Sequence, residues 1–158
     1  MSRISAYNAA TMTVTVTEAI TLNSKDYGST QNFTVSSVAN VSKRMVTVTT
    51  SEASVLSFAA AAAAGTHVIA NVQYLRFTNL DDTNFIVLTF ANSDDDEFAV
   101  KVDAGRSFIL AGDVSGGGAA LIDAKDSALS LSLGDFKSIT ADADTGSCDM
   151  EVFMAETA

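Results

Sequence analysis

The chain has 158 residues and a net charge of −10, from nine basic and nineteen acidic side chains, with no proline, no tryptophan and a single cysteine. That length fits one domain over residues 1–158 and buries an ordinary core without disulfide or metal support. The charge disfavours nucleic acid and anionic membrane surfaces, which both select clustered cations, so neither is expected as a partner.

The first ten residues are polar, without the apolar stretch of a signal peptide, and the first few are expected to form an extended arm. Residues 12–17 alternate Met-Thr-Val-Thr-Val-Thr without a break, as a half-buried strand does. Residues 23–30, with Asp26 and Gly28, form a turn region, and residues 32–37 form the next strand. Residues 45–50 (Met-Val-Thr-Val-Thr-Thr) repeat the alternation with β-branched side chains that suit a pleated surface.

Residues 54–58 are a short apolar strand. Six alanines follow at 59–64, closed by Gly65. They are too few for a stable helix, so the segment is either one helical turn or a tight loop. Strands are expected within 68–78, 85–90, 98–102 and 107–110, with turns at 79–84 and 103–106, and they read as a four-strand meander from Tyr74 to Leu110. Gly116, Gly117 and Gly118 mark a loop at 112–118. Leu129, Leu131 and Leu133 alternate with serines, residues 136–140 form a short strand, residues 142–146 form a turn, and residues 148–154 form the closing strand. The expected architecture is therefore all-β: a β-sandwich or jelly roll of about eight to ten antiparallel strands, with at most one short helical turn near 59–65.

Candidate chemistry is sparse. Serine-type catalysis needs a histidine base, and the chain has only His67. Cys148 lies in the alternating closing segment, where a buried small residue is the plain reading, and pairing it with His67 would be needed for a thiol nucleophile. Oxygen ligands recur at alternate positions in residues 92–97, so Asp94 and Asp96 are the candidate calcium ligands. The loop departs from the EF-hand pattern at Glu97, where glycine is needed, and at Asp103, where glutamate is needed. Asp142 and Asp144 are a similar fragment. Carboxylates at loop tips are expected to keep ordinary acidity, which argues against glycoside hydrolysis, and the three glycines precede Ala-Ala-Leu-Ile rather than a phosphate-loop Lys-Ser or Lys-Thr. No catalytic residue, cofactor or metal is expected.

Residues 74–88 (Tyr-Leu-Arg-Phe-Thr-Asn-Leu-Asp-Asp-Thr-Asn-Phe-Ile-Val-Leu) and 98–110 (Phe-Ala-Val-Lys-Val-Asp-Ala-Gly-Arg-Ser-Phe-Ile-Leu) resemble small virion structural proteins of tailed bacteriophages, of the head decoration or cement type. The segment 148–156 is similar to the closing strand of such domains. The likeness covers about 45 residues and its motif is mostly turn chemistry. It implies a non-enzymatic protein of the virion, assembled in the host cytoplasm, that binds the major capsid protein or other virion subunits. It also implies a homo-oligomer, with a trimer expected at local three-fold sites. A tail or head–tail connector component is the alternative within that class. A calcium- or carbohydrate-binding β-sandwich module is the alternative outside it, and Tyr7, Tyr27 and Tyr74 are then the available tyrosine platforms. The threonine faces at Thr13, Thr15 and Thr17 and at Thr47 and Thr49 are polar without charge, and suit either solvent or a buried subunit contact.

Overall fold

A computed structural model describes residues 9–93, 97–111 and 136–158. The elements run in the order β1 (Ala10–Glu18), β2 (Thr21–Leu22), β3 (Lys25–Asp26), β4 (Ser29–Val38), β5 (Asn40–Val48), β6 (Ala53–Ala59), β7 (His67–Val68), a 3-10 turn (Ile69–Asn71), β8 (Val72–Asn79), β9 (Ile86–Asn92), β10 (Glu97–Val102), β11 (Ser107–Ala111), β12 (Phe136–Ala143) and β13 (Cys148–Glu156). The described residues are thus all-β. The segments read from the sequence at 12–17, 32–37 and 148–154 lie on strands, and of the segment at 45–50 residues 45–48 do, with Thr49 and Thr50 past the end of β5. The alternation at Leu129, Leu131 and Leu133 and the glycine loop at 112–118 lie outside the described residues, as do residues 1–8 of the expected extended arm.

Two antiparallel sheets form the body. One has the order β5-β13-β8-β11. The other has the order β7-β6-β12-β9-β10, with β7 joined in parallel. The strands nest from the outside inward: β5 pairs β13, β6 pairs β12, β8 pairs β11, and β9 pairs β10. Successive pairs fall in alternate sheets, which is the wiring of a jelly roll.

This wiring corrects the expected meander from Tyr74 to Leu110. β8 and β11 lie in one sheet and β9 and β10 in the other. β9 is apolar along most of its length because the sandwich core covers one face and its neighbours half-cover the other: Ile86, Leu88 and Phe90 are buried, and Val87 is half-buried. The chain crosses between sheets after Asn79, and its turn chemistry was legible while its direction was not.

The core between the sheets is one cluster drawn from both. β8 supplies Leu75 and Phe77, β13 supplies Met150, Val152 and Met154, and β12 supplies Ile139 and Ala141. Phe90 is its centre. It stacks on Phe98, its direct cross-strand partner, at 4.7 Å between centroids, and meets Phe77 edge-on at 6.2 Å. Such ring pairs add stability beyond the area they bury.

Of the two readings of 59–65, a helical turn or a tight loop, the structure takes the loop. Ala59 ends β6, residues 60–65 form an exposed loop, and the 3-10 turn lies further on, at Ile69–Asn71. Gly65 does close the alanine segment, at φ +79°, and Thr66 N–H donates to the Ala63 carbonyl at 3.2 Å. Alanine propensity brings too little burial for a lone turn to persist against strand pairing on both sides.

β6 carries a bulge. Leu56 faces Ile139 and Ser54 faces Thr140, so Val55 has no cross-strand partner on β12. Its carbonyl accepts a hydrogen bond from the Arg44 guanidinium of β5 instead. A side chain of one sheet thereby satisfies a backbone group that the other sheet's bulge leaves open.

Candidate docking surface

β1 and β4 form a separate two-stranded ribbon outside the roll. Its two faces differ. Met12 faces Val35, Val14 faces Phe33 and Val16 faces Gln31 on the apolar side, whereas Thr13 faces Thr34, Thr15 faces Asn32 and Thr17 faces Thr30 on the other. Period-2 geometry sends these two sets to opposite sides. The apolar side packs on the outer face of the four-stranded sheet, where Val35 and Val38 are buried with Tyr74 and Ala155, and Met12, Val14 and Phe33 are partly buried. Two residues of β4, Ser36 and Ser37, oppose Thr11 alone, and Ser37 takes φ +60°. This bulge bends β4 before it leads into β5.

Only the base of the ribbon is seated. From Thr15 to Gln31 every residue is exposed. The ribbon is therefore an arm, and the expectation that residues 12–17 are half-buried holds only at Met12 and Val14. The arm ends in a second small hairpin. Asn23 and Ser24 both have positive φ, 52° and 62°, as a two-residue type I′ turn between β2 and β3 requires. Tyr27 N–H donates to the Ile20 carbonyl at 2.9 Å, and Gly28 N–H donates to Asp26 Oδ1 at 2.7 Å. Val16, Ile20, Leu22 and Tyr27 stand exposed on this arm.

The rest of the outer face can be read row by row across the strands. The row Ala111, Tyr74, Ala155, Val41 lies at the ribbon. The next is Ile109, Arg76, Phe153, Lys43, and the next is Ser107, Thr78, Glu151, Met45. Glu151 holds this face together: Arg76 Nη2 lies 2.6 Å and Lys43 Nζ 3.0 Å from its carboxylate. The Lys43 hydrogen bond, with Arg76 beside it, holds the Glu151 carboxyl below its usual range. Val41, Met45, Leu80 and Ile109 are exposed, and the first two and Ile109 rim these rows. Leu80 follows β8 and donates its N–H to the Asp149 carbonyl.

The polar positions singled out from the sequence do not converge. His67 Nδ1 lies 3.2 Å from Glu156 Oε1, and Asn40 Nδ2 donates to Glu156 Oε2 at 2.7 Å. Cys148 begins the strand that Glu156 ends. Strand rise therefore puts the thiol about 25 Å from the His67 pair, and no Cys148–His67 dyad forms. The Cys148 thiol is buried, and burial first, then the charges of Asp81, Asp144 and Asp149, push its pKa up, away from a reactive thiolate. Asp94 and Asp96 lie outside the described residues. Asp142 lies on β12 and Asp144 just beyond it, and among the described residues no group of three His, Cys, Asp or Glu is placed to hold a metal.

The motif at 77–84 forms the corner where the chain changes sheets. Asn79 is fully buried; its Nδ2 donates to the carbonyls of Asn84 and Val102 at 2.9 and 3.1 Å, and its Oδ1 accepts from Asp81 N–H. Asp81 Oδ1 accepts from the N–H groups of Asn84 and Thr83, at 2.6 and 2.8 Å, which lowers its pKa. These residues carried the family likeness, and in the structure their hydrogen bonds build a turn.

The arm was missed in the sequence. Ile20 and Leu22 stand just before the turn region read at 23–30 and Tyr27 within it, and the available signal was three large apolar side chains gathered around a turn. Comparisons with protein-family models, with curated proteins and with solved structures return no match.

Proposed function

We propose that this chain is a non-enzymatic structural protein of a tailed-phage virion, most specifically a head decoration protein that binds and stabilises the capsid shell. The observation that carries the reading is the projecting arm with four exposed apolar side chains, Val16, Ile20, Leu22 and Tyr27. Exposed apolar side chains gathered in one place serve binding, because solvent exposure of such groups costs free energy that a partner recovers. A jelly roll with such an arm suits a subunit that fastens to other subunits. The sequence likeness at 74–88 and 98–110 supports the choice of a virion as the assembly.

The test is co-sedimentation of the purified chain with undecorated capsids. Saturable pelleting, with capsids then surviving higher temperature or lower ionic strength, is the expected result. Failure to pellet with capsids, combined with binding to isolated tails, moves the assignment to a tail or connector component. Failure with both overturns the virion reading.

A further inference from the structure

We infer that the arm of one copy docks on the outer face of the four-stranded sheet of a second copy, so that the chains join head to tail. The inference goes beyond the capsid reading and does not rest on it.

Among the described residues eight large apolar side chains are exposed, and they fall into two sets of four. One set, from Val16 to Tyr27, occupies the arm past its last seated pair. The other rims one sheet face: Val41 and Met45 lie on the edge strand β5, Ile109 on the opposite edge strand β11, and Leu80 just past β8. Surface apolar residues of a monomer are ordinarily scattered singly.

The occupant of the face is indicated by what already sits on it. The ribbon base packs Met12, Val14, Phe33 and Val35 against the Tyr74 row. The open rows beside it continue the same sheet face, with Phe153 half-buried at the join. A second ribbon seated there lies beside the resident one on the same sheet, over the Arg76–Glu151–Lys43 ion pairs, with Val41 and Met45 at one edge and Ile109 at the other. The resident arm does not fill these rows, because its side chains from Thr15 onward are exposed.

Charge permits the contact. A chain of net charge −10 resists self-association in general. On this face, however, Lys43 and Arg76 offset Glu151 and Asp149. The arm from Thr15 to Gln31 carries only Glu18, Lys25 and Asp26, a net −1. The two surfaces that would meet thus carry little of the chain's net charge. An arm-to-face contact is heterologous, and it closes into a ring when the rotation per copy allows.

Light scattering after size exclusion, and sedimentation velocity over a hundredfold concentration range, test this on the full chain without capsids. The wild type should run larger than a monomer. The arm variant Ile20→Asp/Leu22→Asp and the face variant Met45→Asp should each be monomeric with an unchanged circular dichroism spectrum. Ile109→Asp serves as the face variant should Met45→Asp unfold. Mixing an arm variant with a face variant should restore a single contact and give a one-to-one dimer. A wild type that is monomeric throughout, variants that keep the wild-type size, or a mixture that stays monomeric overturns the inference. A monomeric chain that still pellets with capsids sinks this inference alone, whereas an oligomer that never pellets sinks the capsid reading alone.

Discussion

Phe33 of the ribbon and Tyr74 of the roll hold their ring centroids 6.3 Å apart, and Tyr74 meets Phe153 edge-on at 5.8 Å. These three rings fasten the arm to the body across two layers that share no backbone ladder. Tyr74 is buried and Phe33 partly so. Tyr74→Ala should cost about 3 kcal/mol in urea denaturation, and Phe33→Ala about 1–2 kcal/mol. Hydrogen exchange separates local from global effects. Phe33→Ala should speed exchange in β1 and β4 and leave β8 and β13 near wild-type protection.

Asn79 ties the 80–85 turn to the end of β10 through three hydrogen bonds made inside the protein. Alanine there takes the Nδ2 donor from the Asn84 and Val102 carbonyls and the acceptor from the Asp81 N–H. Asn79→Ala should lower stability by about 3 kcal/mol, read as a lower denaturation midpoint with an unchanged slope. A change well under 1 kcal/mol would mean that the turn is held by other contacts.

Two groups predict loss of stability at high pH. Burial raises the pKa of Cys148, and it raises that of Tyr74 against the opposing charge of Arg76. Each folded group holds its proton where the unfolded chain releases it. The stabilisation is full below the unfolded pKa and is lost as pH rises through the folded one. Denaturation midpoints should therefore fall above about pH 9, where unfolded thiols and then phenols ionise. Cys148→Ala should flatten the first part of that decline. An unchanged slope in the variant would contradict the burial argument.

The acid side has the opposite sign. Glu151, through Lys43 and then Arg76, and Asp81, through the N–H groups of Asn84 and Thr83, have lowered folded pKa values. Their contribution is present above the unfolded carboxylate pKa and is lost as pH falls through the folded one. Glu151→Gln should weaken the dependence of stability on pH below about 5. It should do so more at low than at high salt, because Lys43 is largely exposed.

Gly28 tests the arm tip. A Cβ there would stand 2.6 Å from the Glu18 carbonyl oxygen, a backbone atom that cannot swing aside. Gly28→Ala should displace the tip and shift NMR resonances from Glu18 to Thr30. The global unfolding midpoint should stay within a degree or two, because nothing in the tip is buried.

Much of the fold was legible because its signals are local. A period of two marks a strand wherever one face is covered, and Asn23-Ser24, Asp81 to Asn84 and Gly105 mark turns by their own backbone chemistry. Thus β13 could be placed from Cys148 to Met154 by alternation alone. Alternation does not say which strand lies alongside, so β8 to β11 read as neighbours in one sheet. Only the nested pairing of β8 with β11 and β9 with β10 decides that the chain crosses the core twice. The six alanines carried helix propensity, yet Ala59 ends a strand and residues 60–64 form an exposed loop, too short a run to hold a helical turn without burial.

The candidate surface was hidden for the same reason. Met45 and Val46 are both apolar, and the sequence of β5 does not say that Val46 packs on the core while Met45 faces outward beside Glu151. Ile20, Leu22 and Tyr27 differ from core residues only in where the ribbon carries them. By itself the sequence determined an acidic, all-β chain whose lone histidine and lone cysteine offer little chemistry. Tertiary structure alone decided which apolar side chains the jelly roll buries and which it leaves on an arm and a face, because burial depends on what a strand packs against rather than on its own residues.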